Sequence, residues 1–454
     1  MKPNRVMRLL AILGALALIL AACGNGDTTD TTEAPETPDA TEAPETTDAP
    51  ETTEAPATEP PEEGPLGAVT VADGEDIQIR SLQAITGDVA FLGIPNARGV
   101  DMAILDYGAI KGHDVSVGTG LDDLCSADGG QAAAQTIVSD EQVIGVVGTS
   151  CSGAAVAAMP LISAAGMVMI SSSNTSPALT SDMQGNVGTD NHAGYYRTAH
   201  NDFIQGAVAA QFASEELGLT AVALIHDGDP YTNGLTSAFE GAFTSTYGGT
   251  ITVHTAVAKE QVDMVPVLTE VAASGPEAIY FPIFPAEGTF IVQQVGGIAG
   301  LEDVILYGAD GLIADNFLEI PESEGMYFSG PNLAFGANTN AITGKSADDV
   351  KATYEATYGE PPSAPFWAHS YDAAILLLSA IDEVAVALDD GSLFIDRQAL
   401  RDALGATSGW AGITGVVNCD EFGDCAAGEV TVIFHEDSTD IEATKNNIVF
   451  SNTE

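Results

Sequence analysis

The sequence predicts an α/β protein of two lobes, each a parallel sheet covered by helices, facing one another across a hinged cleft. Three observations carry that prediction. From Gly74 onward, short apolar runs alternate with segments of helical spacing, the pattern of a parallel sheet buried on both faces. The alternation restarts after Thr198, and two such runs are too much for one compact sheet. At 454 residues the chain can support two hydrophobic cores.

The amino-terminal segment is of another kind. Lys2, Arg5 and Arg8 precede an apolar run from Leu9 to Ala22, and Leu20-Ala21-Ala22-Cys23 closes it. Basic start, short apolar core and small residues at a cut site make a secretory signal. A Cys at the first mature position forms a bacterial lipobox. Residues 1–22 are therefore expected to be a lipoprotein signal peptide, with Cys23 lipidated and the protein held outside the cytoplasm on the membrane, at the cell surface or in the periplasm. Gly24 to Pro65 is almost only Thr, Glu, Asp, Pro, Ala and Gly. Such a segment has no apolar face to bury and is expected to be a disordered, extended linker. Residues 23–73 are assigned to anchor and linker, with the folded part starting near Gly74.

The elements follow in order. Ile77–Leu82 reads as a strand, Ile94–Tyr107 as a helix, Val115–Gly118 as a strand and Gly129–Ser139 as a helix. Val143–Val147 is a buried strand, Gly153–Ala165 a helix and Met167–Ile170 a strand. After Thr198, Ile204–Glu216 has helical spacing. Strands are expected at Ala221–His226, Thr250–Ala256, Ala278–Pro282 and Val304–Tyr307, with helices at Tyr231–Tyr247, Met264–Ala273 and Glu287–Val295. A long helix over Ser370–Leu388 and a hairpin around Cys419 complete the body. The lobes are expected over residues 74–199 with 331–428, and 200–330 with 429–454.

The formal net charge is −52, with 13 Lys plus Arg, and no basic residue lies between Arg8 and Arg80. That excludes a nucleic-acid partner and a polybasic membrane contact. Of the five cysteines, Cys23 is taken by the anchor. Cys419 and Cys425 flank the turn-forming Asp420-Glu421-Phe422-Gly423-Asp424 and are paired as a disulfide, which leaves Cys125 with Cys151. Zinc is the competing use, but these spacings match no common zinc pattern. No metal or cofactor is expected.

Ligands of open α/β sheets bind at the carboxyl ends of strands. Three loops qualify: Gly148-Thr149-Ser150-Cys151-Ser152-Gly153, Ser171 through Pro177, and Gly308-Ala309-Asp310-Gly311. The first two offer hydroxyls and helix-start amides that suit a carboxylate, and the third an acid that suits an ammonium. Helix capping and turn formation are the plainer uses of the same residues. Tyr231, Phe284, Phe366 and Trp367 can line a pocket or simply fill the core.

Catalysis finds little support. Gly148-Thr149-Ser150-Cys151-Ser152 lacks the closing glycine of a nucleophile elbow. The seven histidines show no metal-binding spacing. Gly118-Thr119-Gly120 falls short of a dinucleotide fingerprint. No catalytic residue is assigned.

From about Ile77 to Asp437 the chain resembles the substrate-binding proteins of branched-chain amino-acid ABC transporters, the leucine/isoleucine/valine-binding type. The motifs that carry the likeness are Thr86-Gly87-Asp88-Val89-Ala90, Leu121 through Cys125, Gly148 through Ser152, Met169 through Thr180, His226 through Tyr231, and Tyr371-Asp372-Ala373-Ala374. The resemblance implies a type I periplasmic binding protein fold of two Rossmann-like lobes, and a non-enzymatic role: capture of a small amino acid and delivery to a permease, by a protein expected to be monomeric. It also implies roles by position. Ser152 and Thr175 would hold the ligand carboxylate. The Ser173 carbonyl and Thr175 hydroxyl would take the ammonium, with Asp310 as counter-charge. Tyr231 would close from the second lobe. Leu92, Cys151 and Phe284 would touch the side chain, and Asn174 would border it. The rival readings are a receptor or sensor for an amide, urea or aromatic acid, and a secreted hydrolase.

Overall fold

Parallel strands of mostly β-branched and apolar residues build both lobes of the computed structural model, which describes residues 60–426 and 428–452. The signal peptide, Cys23 and most of the linker lie outside the described residues. In the first lobe the strands run in the order Val115–Ser116, Ile77–Gln83, Val143–Gly148, Val168–Ser171, Tyr195–Arg197, all parallel, with Leu121–Asp122 beside the end of Ile77–Gln83. Helices Ala90–Tyr107 and Trp367–Val384 cover one face. Helices Ala127–Val138 and Ser152–Ala164 cover the other. Alternate strand residues feed the two cores: Ile77, Ile79 and Ile170 face one way, Leu82, Val146 and Met169 the other.

The second lobe is a seven-stranded sheet in the order Ile448–Ser451, Val430–Phe434, Tyr327–Pro331, Ile305–Ala309, Ala278–Tyr280, Ala221–His226, Thr250–Ala256. Its last five strands are parallel. Val430–Phe434 and Ile448–Ser451 add an antiparallel edge, which the alternation of strands and helices did not announce. Among the described residues the chain passes three times between the lobes. The crossings converge where Thr198, His200, Pro331, Asn332, Gly428 and Glu429 line one small cavity, and Asn332 donates its backbone N–H to the Glu429 carbonyl.

Three expectations need correcting. Ala68–Val71 is a strand, not linker: it pairs antiparallel with Leu393–Asp396, and Val69 and Val71 enter the first lobe's core. Its alternating Ala-Val-Thr-Val is a half-buried strand pattern, and Gly64 is tied by its N–H to Asp396. The long helix spans Trp367–Val384 rather than Ser370–Leu388, because Val386–Ala387 turn extended to join the same small sheet. The hairpin is Trp410–Gly412 with Gly415–Val417, ahead of Cys419. Both expected disulfides form, Cys125–Cys151 and Cys419–Cys425, the second closing the turn after the hairpin.

Candidate functional site

The carboxyl ends of strands from both sheets meet around one cavity. On the first lobe, Val143–Gly148 runs into Thr149–Cys151 and then into the helix Ser152–Ala164. The loop is pinned from below. Asp123 accepts from the N–H of Cys125 at 2.7 Å and from that of Ser150 at 2.6 Å, so one carboxyl holds both sides of the disulfide. Burial pushes Asp123 up to about 7. Ser150 donates to Gln83 and accepts from the N–H of Ala84. Gly93 brings the helix Ala90–Tyr107 against Ala84, the residue whose N–H Ser150 accepts, since a Cβ there would sit 2.0 Å from the Ala84 carbonyl. That contact places Leu92 on the cavity wall.

The next loop follows Val168–Ser171. Ser173 donates its hydroxyl to the Ser150 carbonyl at 2.9 Å and accepts from Asn96 at 3.1 Å. Ser152 accepts from the N–H of Ser176 at 3.3 Å. As the first residue of its helix, Ser152 stands where backbone N–H groups have no intrahelical partner and the helix dipole is positive.

The second lobe supplies an acid. Asp310 follows Ile305–Ala309, and its Oδ1 accepts from Tyr231 Oη at 3.1 Å and from Gln205 Nε2 at 2.6 Å. Tyr231 is set in the first turn of the helix Pro230–Ser245, which the Asp229 carboxylate caps. Gln205 also donates to the Ser329 carbonyl at 3.0 Å. A carbonyl only accepts, so the amide nitrogen must point there and Oε1 must face His200, whose Nε2 lies 2.5 Å away and donates. A continuous path of hydrogen bonds thus joins the interlobe crossing at His200 to Asp310. Burial pushes Asp310 up to about 6, against the pull of Gln205 and Tyr231. Burial pushes His200 down to about 4.

The cavity wall is Leu92, Ser150, Cys151, Ser152 and Ser173 from one side, and Tyr231, Phe284, Asp310 and Gly311 from the other, with Phe366 beside them. Of the residues singled out in the sequence, Leu92, Cys151, Ser152, Ser173, Tyr231, Phe284 and Asp310 therefore come together. Asn174 and Thr175 stand behind the wall, each 0 % exposed. Asn174 donates to the Thr149 carbonyl and accepts from Tyr195, so its side chain is spent on the loop itself. The cavity volume is about 10 Å³, room for roughly one water. A solute with a side chain must therefore enter while the lobes are parted.

Outside Phe284 lies a wider vestibule of about 250 Å³ that includes Thr86–Val89. There Lys259 of the second lobe donates to the Cys125 carbonyl of the first at 3.3 Å and pairs with Asp229 at the same distance. Gly153 also makes room for Asp229: a Cβ there would lie 2.7 Å from its Oδ2.

Ser150 and Gly311 belong to two of the strand-end loops singled out in the sequence, though neither was given a role of its own; Gln205 was not foreseen, and a signal for it exists. It shares the inward face of its helix with Val208, Ala209 and Phe212, so a polar side chain interrupts an apolar stripe.

The sequence profile of the Periplasmic binding protein family matches residues 76–423. The "Leu/Ile/Val-binding protein homolog 3" of Brucella melitensis is 30% identical over 332 residues, 72% of this chain and 83% of that protein. The "Leucine-, isoleucine-, valine-, threonine-, and alanine-binding protein" of Pseudomonas aeruginosa is 26% identical over 377 residues, 81% of this chain and 92% of that protein. Among solved structures, a leucine binding protein of Thermotoga maritima superposes with a TM-score of 0.68 at 25% identity, covering 80% of this chain and 96% of its own.

Proposed function

Because the chain belongs to the periplasmic binding protein family, whose members bind solutes and catalyse no reaction, we propose that its solute is a small amino acid, branched-chain or otherwise aliphatic. One observation carries this reading. A single cavity has hydroxyls and a helix start from one lobe on one side, and the buried carboxyl of Asp310 from the other lobe facing them. The first set suits a carboxylate, the second an ammonium. Leu92, Phe284 and Phe366 supply apolar surface between them. Each charge-assisted hydrogen bond contributes about 1.5–3 kcal/mol. Burying an aliphatic side chain adds roughly as much. After the cost of association, a micromolar or tighter complex is the expected result. A ligand held by both lobes binds the closed arrangement better than the open one, so binding drives closure. An aromatic acid or urea would leave the Asp310 carboxylate without a cation.

In this reading Cys23 carries the lipid, the segment after it is the tether, and an ABC permease receives the solute. A thermal-shift screen of the mature chain tests the ligand class. Leucine, isoleucine, valine or alanine should raise the melting temperature, and calorimetry should give one site. Binding confined to benzoate, urea or amides would overturn the reading. Replacing Cys23 with Ala should release the protein from cells.

A further inference from the structure

Asp202 is the first residue of the helix Asp202–Gln211, and its side chain is 0 % exposed. Neither carboxyl oxygen has a well-formed hydrogen bond, and the Thr175 hydroxyl stands near enough to act on it. Asp202 is not the cap of its helix, since Asn201 takes that role by accepting from the N–H of Phe203. Arg197 lies near but is occupied by Asp424, Thr180 and the carbonyls of Asn174 and Ser176. The hydroxyl of Thr175 is equally buried and equally without a well-formed hydrogen bond. The two residues are joined through the backbone, Asp202 N–H to the Thr175 carbonyl at 3.0 Å. A buried carboxyl and a buried hydroxyl without well-formed bonds, on the helix whose Gln205 bonds Asp310, are costly unless something arrives to use them.

We infer that Asp202 is a second counter-charge for the ligand's ammonium, acting through the Thr175 hydroxyl and beside Asp310, and that it gives up a proton when the ammonium binds. The inference rests on the amino-acid reading of the site. Asp202 stands one helical turn before Gln205, which bonds Asp310, and without ligand two carboxylates buried on this one linkage do not both ionise. Burial, and then the charge of Asp310, hold Asp202 well above the usual carboxylate range. The other groups facing it are Arg197 from the strand Tyr195–Arg197, Asp229 and Tyr231 from the start of the helix Pro230–Ser245, and Tyr280 from Ala278–Tyr280. Only Arg197 among them is a cation. An arriving ammonium adds the missing positive charge. With the lobes parted to admit the ligand, Asp202 loses its proton to solvent, its carboxylate accepts from the Thr175 hydroxyl, and the hydroxyl oxygen, behind the wall while the cavity is empty, accepts from the ammonium. One proton leaves for each ligand bound.

Calorimetry in two buffers of different ionisation enthalpy counts that proton. The mature chain is titrated at pH 7 with whichever of leucine, isoleucine, valine and alanine binds it. The wild type should release most of one proton. Asp202→Asn should release close to none and bind about tenfold more weakly. Thr175→Val should lower the release, and Thr175→Ser should keep it, which guards against an Asp202→Asn chain that does not fold. No release by the wild type, or equal release by the wild type and Asp202→Asn, overturns the inference and leaves the amino-acid site standing. Failure of all four amino acids to bind sinks both.

Discussion

Gln205 and Asp310 sit 2.6 Å apart, amide nitrogen to carboxylate oxygen, and the same amide reaches back to His200. The side chain that fixes the acid of the cavity is therefore the one that senses the crossing between the lobes.

Affinity for an amino acid should follow the ionisation of Asp310. The ammonium needs the carboxylate, so binding should fall steeply as the pH drops through about 6, while the proton released by Asp202 lets it tighten further above pH 7. The Gln205 bond pulls that value down, so Gln205→Ala should move the midpoint upward and weaken binding at pH 7 by about tenfold. Calorimetry from pH 5 to 8 reads both. An unmoved midpoint would free Asp310 from Gln205. For the stability of the unliganded protein the sign is opposite. A carboxyl whose value rises on folding stabilises below its unfolded value and loses that contribution as the pH rises through about 6. Asp310→Asn should therefore stabilise the empty protein at pH 7, by up to about 3 kcal/mol.

Gly153→Ala should act on closure. The new Cβ would meet Asp229 Oδ2 at 2.7 Å and Pro230 Cδ at 3.3 Å, atoms of the other lobe. It meets nothing within its own lobe that close, and Ala suits a helix better than Gly. The expected result is binding weakened at least tenfold with the melting temperature of the empty protein unchanged or higher. Unchanged affinity would mean that these surfaces do not come together on binding.

Removing the Cys125–Cys151 bridge by a double Ala substitution should cost about 3–4 kcal/mol by chain entropy, given its separation of 26 residues. It should also weaken binding, because Cys151 is on the cavity wall. Removing Cys419–Cys425, with a separation of 6, should cost less and leave affinity alone. Denaturant melts and calorimetry on the two variants make the comparison.

His200 and His369 should make the fold sensitive to acid. Burial pushes them down to about 4 and about 3. A histidine lowered on folding contributes stability above its unfolded value, near 6.5, and loses it as the pH falls through its folded value. His369→Leu should flatten the loss of stability between pH 6.5 and 4, while the carbonyl of residue 369 keeps its bond from Thr198. Melts across that range that superpose on the wild type would contradict this.

How much of this could be read from the chain depends on where the information sits. Ala221–His226 and Thr250–Ala256 were read to the residue, because β-branched runs bounded by turns are local signals. Tyr195–Arg197 was not, since Arg197 is 0 % exposed and an arginine argues against a core strand until its partners are known. Those partners, Asp424 and the carbonyls of Asn174 and Ser176, come from distant segments. The helix Ala347–Tyr358 was missed because its apolar positions are few. In the cavity, Ser152, Ser173 and Asp310 follow strand ends and could be placed by rule. Asp202 could not: it is one acid among 65 Asp and Glu, and only its surroundings set it apart.

The strand Ala68–Val71 has a mechanical consequence. It is zipped along Leu393–Asp396 on the body of the first lobe, far in sequence from the three crossings. Any pull transmitted through the amino terminus is taken up by that small sheet and spent against one half of the molecule. The load path ends in that half, short of the joint.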